Sequence, residues 1–171
     1  MKKILGLVTS LTLISGICAA VLAAVNNVTK EPIATMKAQQ EQRAVKAVMP
    51  AGVEKIDGSD GFFVGKDASG KAVGYAAKGQ DGGGYGGDIV LMVGFEADKK
   101  TVVCYKVLEA SETPGLGSNL TTPEFSEQFK GKDGSSLSVK KDGGEIEAIT
   151  SATITSRAVC RAIADASKKL K

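Results

Sequence analysis

The 171-residue sequence predicts an α+β protein: a single amino-terminal transmembrane helix, then an antiparallel β-sheet domain with flanking helices. Three observations predict it. Ile4 to Val25 is a run of 22 residues without a charge. From about residue 60 to residue 150, short β-like runs alternate with Gly, Asp and Lys turns, a spacing too tight for the crossovers that parallel strands need. The chain then closes on an amphipathic helix, Ser156–Leu170, in which Val159, Ile163, Ala166 and Leu170 share a face and Lys168 and Lys169 suit the negative end of the dipole.

At about 1.5 Å per residue, the uncharged run makes a helix on the order of 33 Å long, enough to cross a bilayer core. Lys2 and Lys3 precede it, so the positive-inside rule places everything after Val25 on the far side of the membrane. A cleaved signal peptide is the alternative, since Ala19, Ala20, Ala23 and Ala24 supply small residues near its end. A signal core usually runs only about 7–15 apolar residues, which favours a retained anchor. Residues 1–28 are expected as the anchor, 29–50 as a stalk helix capped by Thr29 and stopped at Pro50, and 51–171 as the exported domain. Strands are expected at Phe62–Lys66, Lys71–Ala77, Asp88–Glu96 and Thr101–Glu109, with hairpin loops at 67–70 and 97–100. Two more short strands are expected near Ser136–Lys140 and Glu145–Ile149.

Composition excludes several chemistries. The chain has no His, and its three cysteines (Cys18, Cys104, Cys160) form no C-x-x-C pair. His-based triads, His-liganded zinc and c-type haem attachment are excluded, as is an iron–sulfur cluster held by this chain alone. No metal site is expected. The 22 Lys and Arg stand against 19 Asp and Glu, and setting aside Lys2 and Lys3 leaves 20 against 19. That balance gives no basic footprint for nucleic acid. Any redox chemistry requires an organic cofactor. Cys104 and Cys160 are equally consistent with a disulfide and with two buried thiols.

Three segments invite a chemical reading. Gly82, Gly84 and Gly87 spell G-x-G-x-x-G, but they lead into a strand where a dinucleotide fingerprint must open a helix, so a turned loop with Tyr85 against a ligand is expected instead. The segment Glu109–Asn119 leaves a strand and turns at Pro114-Gly115; read alone it is an ordinary Pro-Gly turn, but it also lets backbone approach a flat ligand, with Leu116 as the apolar contact. Thr150, Ser151, Ala152, Thr153, Thr155 and Ser156 lead into the last helix. Read alone they are a helix cap with spare hydroxyls; the same free N–H groups and helix dipole also suit a phosphate, with Arg157 adding charge.

Taken together, the last two segments resemble the FMN-binding domain of the G subunit of Rnf-type ferredoxin:NAD oxidoreductases and of the related C subunit of sodium-pumping NADH:quinone oxidoreductase. That family carries E-T-P-G-L-G, here Glu112 to Gly117, and later a flavinylation signature, D-x-x-S/T-G-A-S/T followed by x-S/T-S and a helix. The resemblance extends to the amino-terminal anchor, to Arg43–Pro50 and to the glycine-rich segment before a strand. It implies that Thr153 carries FMN through a phosphoester. It also implies that Thr113, Gly115, Leu116 and Gly117 lie along the flavin, with Thr150, Ser151, Thr155 and Ser156 around the phosphate and ribityl chain, and that Glu112 and Ala152 belong to the cofactor-binding set. Glu147 stands where the family has Asp and Ser151 where it has Gly, so Ser151 brings a β-carbon to a position that costs energy if φ is positive.

The resemblance further implies an electron-carrying subunit of a complex that couples ferredoxin and NAD redox to sodium or proton movement. Its partners would be the A, B, C, D and E subunits and a flavin transferase. It would sit in the cytoplasmic (inner) membrane as a single-pass protein, its domain extracytoplasmic. No residue is expected to act as general acid or nucleophile in turnover. Two other readings stay open: a flavinylated subunit of another path, quinone-linked or extracellular, and a non-redox exported binding module.

Overall fold

The computed structural model describes residues 2–170. These form α1 (Lys2–Val48), strands β1 (Lys55–Ser59), β2 (Phe62–Lys66), β3 (Ala72–Asp81), β4 (Ile89–Glu96) and β5 (Val102–Glu109), then α2 (Pro123–Ser126) and α3 (Thr153–Lys168). Single 3-10 turns lie at Gly117–Thr121, Glu127–Phe129 and Lys140–Asp142. The chain divides into two units, Met1–Gln40 and Glu41–Lys171.

The first unit is helical through its described residues and contains a stretch long and apolar enough to cross a membrane. A single helix covers the segments expected as anchor and stalk. Thr29 does not start a helix: its hydroxyl donates back to the Val25 carbonyl at 2.9 Å. Pro32 lies inside the helix, where its missing N–H removes one bond while the flanking turns continue.

In the second unit the five strands form an antiparallel meander in the order β1-β2-β3-β4-β5. Helices cover both faces of the sheet. The last turns of α1 place Ala44, Val45 and Val48 against Ala76 and Met92. On the other face, α3 lays Ala158, Val159, Ala162, Ile163 and Ala166 against Ala77, Leu91, Val93 and Phe95. Burying a residue such as Ile163 contributes about 1.5–3 kcal/mol. This two-sided cover explains β4, whose residues Ile89–Phe95 are all buried and read as one apolar run rather than an alternation. The helices press closest at glycines. A β-carbon on Gly79 would stand 2.0 Å from the Ala162 carbonyl oxygen, and one on Gly94 1.8 Å from that of Val48.

The four expected strands form, with β3 running on to Asp81. Strand β1 is an addition to the expected set, because Lys55-Ile-Asp-Gly-Ser is mostly polar; it is an edge strand. Its hairpin to β2 turns on Asp60 and Gly61, both at positive φ (55° and 81°), the Asp-Gly pattern of a two-residue hairpin loop. The strands expected near 136–140 and 145–149 do not form. One parallel bridge joins Val139 to Ile146, and a 3-10 turn ending at Gly143 (φ 83°) consumes the residues between. Cys104 and Cys160 are free thiols, packed with the α1 layer and the α3 layer respectively. The sheet lies between them, which rules out a bridge.

Candidate functional site

The site forms where three connections meet: the glycine-rich loop between β3 and β4, the loop after β5, and the start of α3. The loop after β5 folds on itself. Both Leu116 and Ser118 N–H groups donate to the Thr113 carbonyl at 3.2 Å, and Gly115 N–H donates to Ser118 Oγ at 2.9 Å. Gly115 takes φ 74° at this turn, and Leu116 is left 42% exposed.

Glu112 ties the three segments together. Its Oε1 accepts the N–H groups of Tyr85 and Gly86 at 3.0 and 3.4 Å, and its Oε2 accepts the Thr155 hydroxyl at 2.8 Å. Gly117 lies so close beneath that a β-carbon there would meet Glu112 Oε2 at 2.3 Å.

Helix α3 begins at Thr153, three residues before the expected start. The hydroxyls that look like caps are spent elsewhere. Thr155 binds Glu112, and Ser156 Oγ donates to the Ala152 carbonyl while accepting the Ile149 N–H, both at 2.9 Å. Ala152 occupies the cap position and no side chain caps the helix. The positive end of α3 is therefore uncapped next to the cavity. Ser151, just ahead of it, has φ 61°, a left-handed conformation that L side chains resist.

The resulting cavity measures about 420 Å³ and is lined by Tyr85, Glu112, Thr113, Leu116, Gly117, Ser151, Ala152, Thr153, Ile154 and Thr155. A neighbouring cleft of about 410 Å³ shares Leu116 and Ser151 with it. Eight of the eleven expected residues line the first cavity. Gly115 and Thr150 line the second cleft instead, and Ser156 lines neither, being fully buried with its hydroxyl engaged in bracing the turn. Two residues that the sequence did not single out lie here: Ile154, 48% exposed, lines the cavity, and Lys141 reaches one of the lining residues, its Nζ donating to Thr153 Oγ1 at 3.3 Å. An apolar residue amid Ser and Thr is a faint signal for Ile154; nothing in a Lys-Lys-Asp-Gly-Gly turn announces Lys141.

The surrounding charges are largely paired. Arg157, expected to add charge for a phosphate, is instead held by both oxygens of Asp142, at 2.7 and 2.6 Å. That guanidinium holds the Asp142 carboxyl below its usual range. Arg161 does the same to Asp81 at the end of β3, at 2.8 Å to each oxygen, and so ties α3 to the glycine-rich loop. Glu147 pairs with Lys140, and its N–H donates to Gln128 Oε1 at 2.7 Å.

Comparison with known proteins gives this geometry a family. Residues 84–168, which include most of the glycine-rich loop, the whole loop after β5 and α3, match the FMN-binding domain model. The chain is 36% identical to the G subunit of the ion-translocating oxidoreductase complex of Methanosarcina acetivorans, over 95% of this chain and 92% of the relative. It is 32% identical to the G subunit of the proton-translocating ferredoxin:NAD(+) oxidoreductase complex of Clostridium ljungdahlii, over 96% and 90%. The Acetobacterium woodii Na(+)-translocating counterpart is 33% identical, over 91% and 84%. Among solved structures, NqrC of Shewanella oneidensis superimposes with a TM-score of 0.50 at 24% identity, over 72% of this chain and 66% of that one, and so shares the fold. With this identity maintained over nearly its whole length, the chain belongs to the family of G subunits of ion-translocating oxidoreductase complexes, and it carries an FMN-binding domain.

Proposed function

We propose that this chain is an electron-carrying flavoprotein subunit, with FMN esterified through its phosphate to Thr153, in an Rnf-type membrane complex that couples ferredoxin and NAD redox to ion translocation. The cavity fits such a group. Its volume of about 420 Å³ lies in the range of ligand sites, on the order of 300–1,000 Å³. Tyr85, Leu116 and Ile154 offer exposed apolar surface to a flat ring, while the uncapped start of α3 suits a phosphate. When bound, the flavin supplies one- and two-electron transfer. The protein's residues hold it: Thr113, Leu116 and Gly117 along the ring, and Ser151, Ala152 and Thr153 at the phosphate end.

One observation carries the reading: Thr153 is at once the first residue of α3 and part of the cavity wall. During maturation Thr153 Oγ1 attacks the flavin-side phosphorus of a flavin dinucleotide supplied with a flavin transferase. The new P–O bond to threonine forms, the pyrophosphate P–O bond breaks, a nucleoside monophosphate leaves, and the hydroxyl proton passes to solvent. No side chain of this subunit is then required as acid or base in turnover. Covalent attachment suits a domain on the extracytoplasmic face of the cytoplasmic membrane, where a lost cofactor is not replaced. Lys2 and Lys3, ahead of the apolar run, support that orientation. The A to E subunits are the expected partners.

The test is intact mass and in-gel fluorescence of the full chain made alongside a flavin transferase. A mass increase of one FMN less one water, mapped to Thr153 and abolished in Thr153→Ala, supports the reading. A colourless chain with bare Thr153 overturns it. A periplasmic-reporter fusion after residue 171 checks the orientation.

A further inference from the structure

The Lys140–Asp142 turn and the first turns of α3, which it touches, carry three cations, and two of them are already neutralised. Lys140 pairs with Glu147, and Arg157 is held in a fork by Asp142. Lys141 has no carboxylate partner among the described residues; its ammonium donates to Thr153 Oγ1 at 3.3 Å. Nor is its position that of a loose surface lysine. The Lys140–Asp142 turn is anchored behind by buried Val139, whose neighbour Lys140 donates its N–H to the Ile146 carbonyl at 2.8 Å. It is anchored ahead by the Asp142–Arg157 pair on α3 itself. The residues on both sides of Lys141 are thus fixed to the frame that carries Thr153.

The geometry points to Lys141 as the phosphate-binding residue of this site, one that selects a phosphorylated flavin over an unphosphorylated one. This rests on the reading that Thr153 carries FMN. A phosphate joined to Oγ1 holds its remaining oxygens one bond beyond an atom the ammonium already touches. Before attachment, Lys141 holds the Thr153 oxygen while leaving the hydroxyl hydrogen free to depart. Afterwards it pairs with the phosphoryl oxygens as a point charge, joining the positive end of α3, whose first turn carries no acidic residue. The other two cations cannot substitute without breaking their own ion pairs.

The experiment compares the full chain with Lys141→Ala, Lys141→Gln and Lys141→Arg, each incubated with a purified flavin transferase and flavin dinucleotide, and follows the flavinylated fraction by intact mass. The Ala and Gln variants are expected to label at least about tenfold more slowly, with Arg within about threefold of wild type. Melting temperatures before labelling should agree within about 2 °C, because an exposed lysine contributes little to stability. In a Thr153→Ala background, Lys141→Ala should weaken FMN binding about tenfold and leave riboflavin binding unchanged. Labelling of Lys141→Ala at the wild-type rate overturns the assignment. So does equal failure of Arg and Ala, a melting point lowered in all three variants, or an equal loss for FMN and riboflavin. If wild-type Thr153 itself stays bare, the covalent-flavin reading falls first and takes this one with it; wild-type labelling with an indifferent Lys141 removes only the role of the lysine.

Discussion

Thr155 and Glu112, 43 residues apart in sequence, are joined by a 2.8 Å hydrogen bond from the threonine hydroxyl to Oε2. The other oxygen of the same carboxylate holds the Tyr85 and Gly86 N–H groups. Glu112 is therefore a positioning residue for the cavity as much as part of its wall. Glu112→Ala deprives three donors of their acceptor and is expected to cost about 2–3 kcal/mol, while Thr155→Val removes one bond and costs about 1 kcal/mol. Urea unfolding of the detergent-solubilised chain checks the order. Flavin occupancy should fall further in Glu112→Ala.

Ser151 sits at φ 61°, where a β-carbon is strained. Ser151→Gly removes that strain, at a penalty in the unfolded chain that offsets part of it, for a net gain of about 0–1 kcal/mol. Flavin occupancy in the variant should equal or exceed that of wild type. A marked drop would show that the Ser151 hydroxyl binds the cofactor.

Gly79 touches α3 where no side chain fits. Gly79→Ala forces the helix off β3 and should cost about 2–3 kcal/mol by overpacking. Because α3 carries Thr153, the same variant should also lose flavin, which distinguishes it from an ordinary surface change. Thermal melting with flavin quantitation reads both.

The acid limb of stability follows from Asp81 and Asp142. Arg161 and Arg157 hold their carboxyls below the usual range in the folded chain. Each pair's contribution is thus complete above the unfolded value of about 3.9 and is lost as pH falls through the depressed folded value. The melting temperature should stay level from about pH 5 to 8 and drop below about pH 4. In Asp81→Asn it should be lower at neutral pH, with a shallower acid drop.

Burial pushes the Cys160 thiol up to about 12 and raises that of Cys104 as well. Neither is a useful nucleophile near pH 8. Iodoacetamide should leave Cys160 unmodified in the folded chain, whereas unfolding without reductant should expose three alkylatable thiols. Two missing labels would reveal a disulfide that the intervening sheet does not permit.

Local patterning makes much of the sheet legible. Strands β2 to β5 are readable because β-branched and aromatic runs sit between Asp-led turns. Asp67 accepts the N–H groups of Ser69 and Lys71, and Asp98 those of Lys100 and Thr101, so each turn is closed by residues within four positions. Expectation and structure part where the partner, rather than the pattern, decides. Polar β1 is a strand because β2 lies beside it. Apolar Val139 and Ile146 make a single bridge because no strand lies along them.

By itself the amino-acid order determined the apolar amino-terminal helix, the antiparallel strands β2 to β5, the carboxyl-terminal helix and two of the three segments that build the cavity, since each is written in neighbours a few positions apart. Only the tertiary structure decided which partner each hydroxyl binds. Ser156 turned inward to Ala152, Thr155 went to Glu112, and Thr153 was left with Lys141. Those choices depend on where distant loops come to rest after the sheet and α3 have packed, and a hydroxyl bonds to whatever acceptor the fold then places within reach.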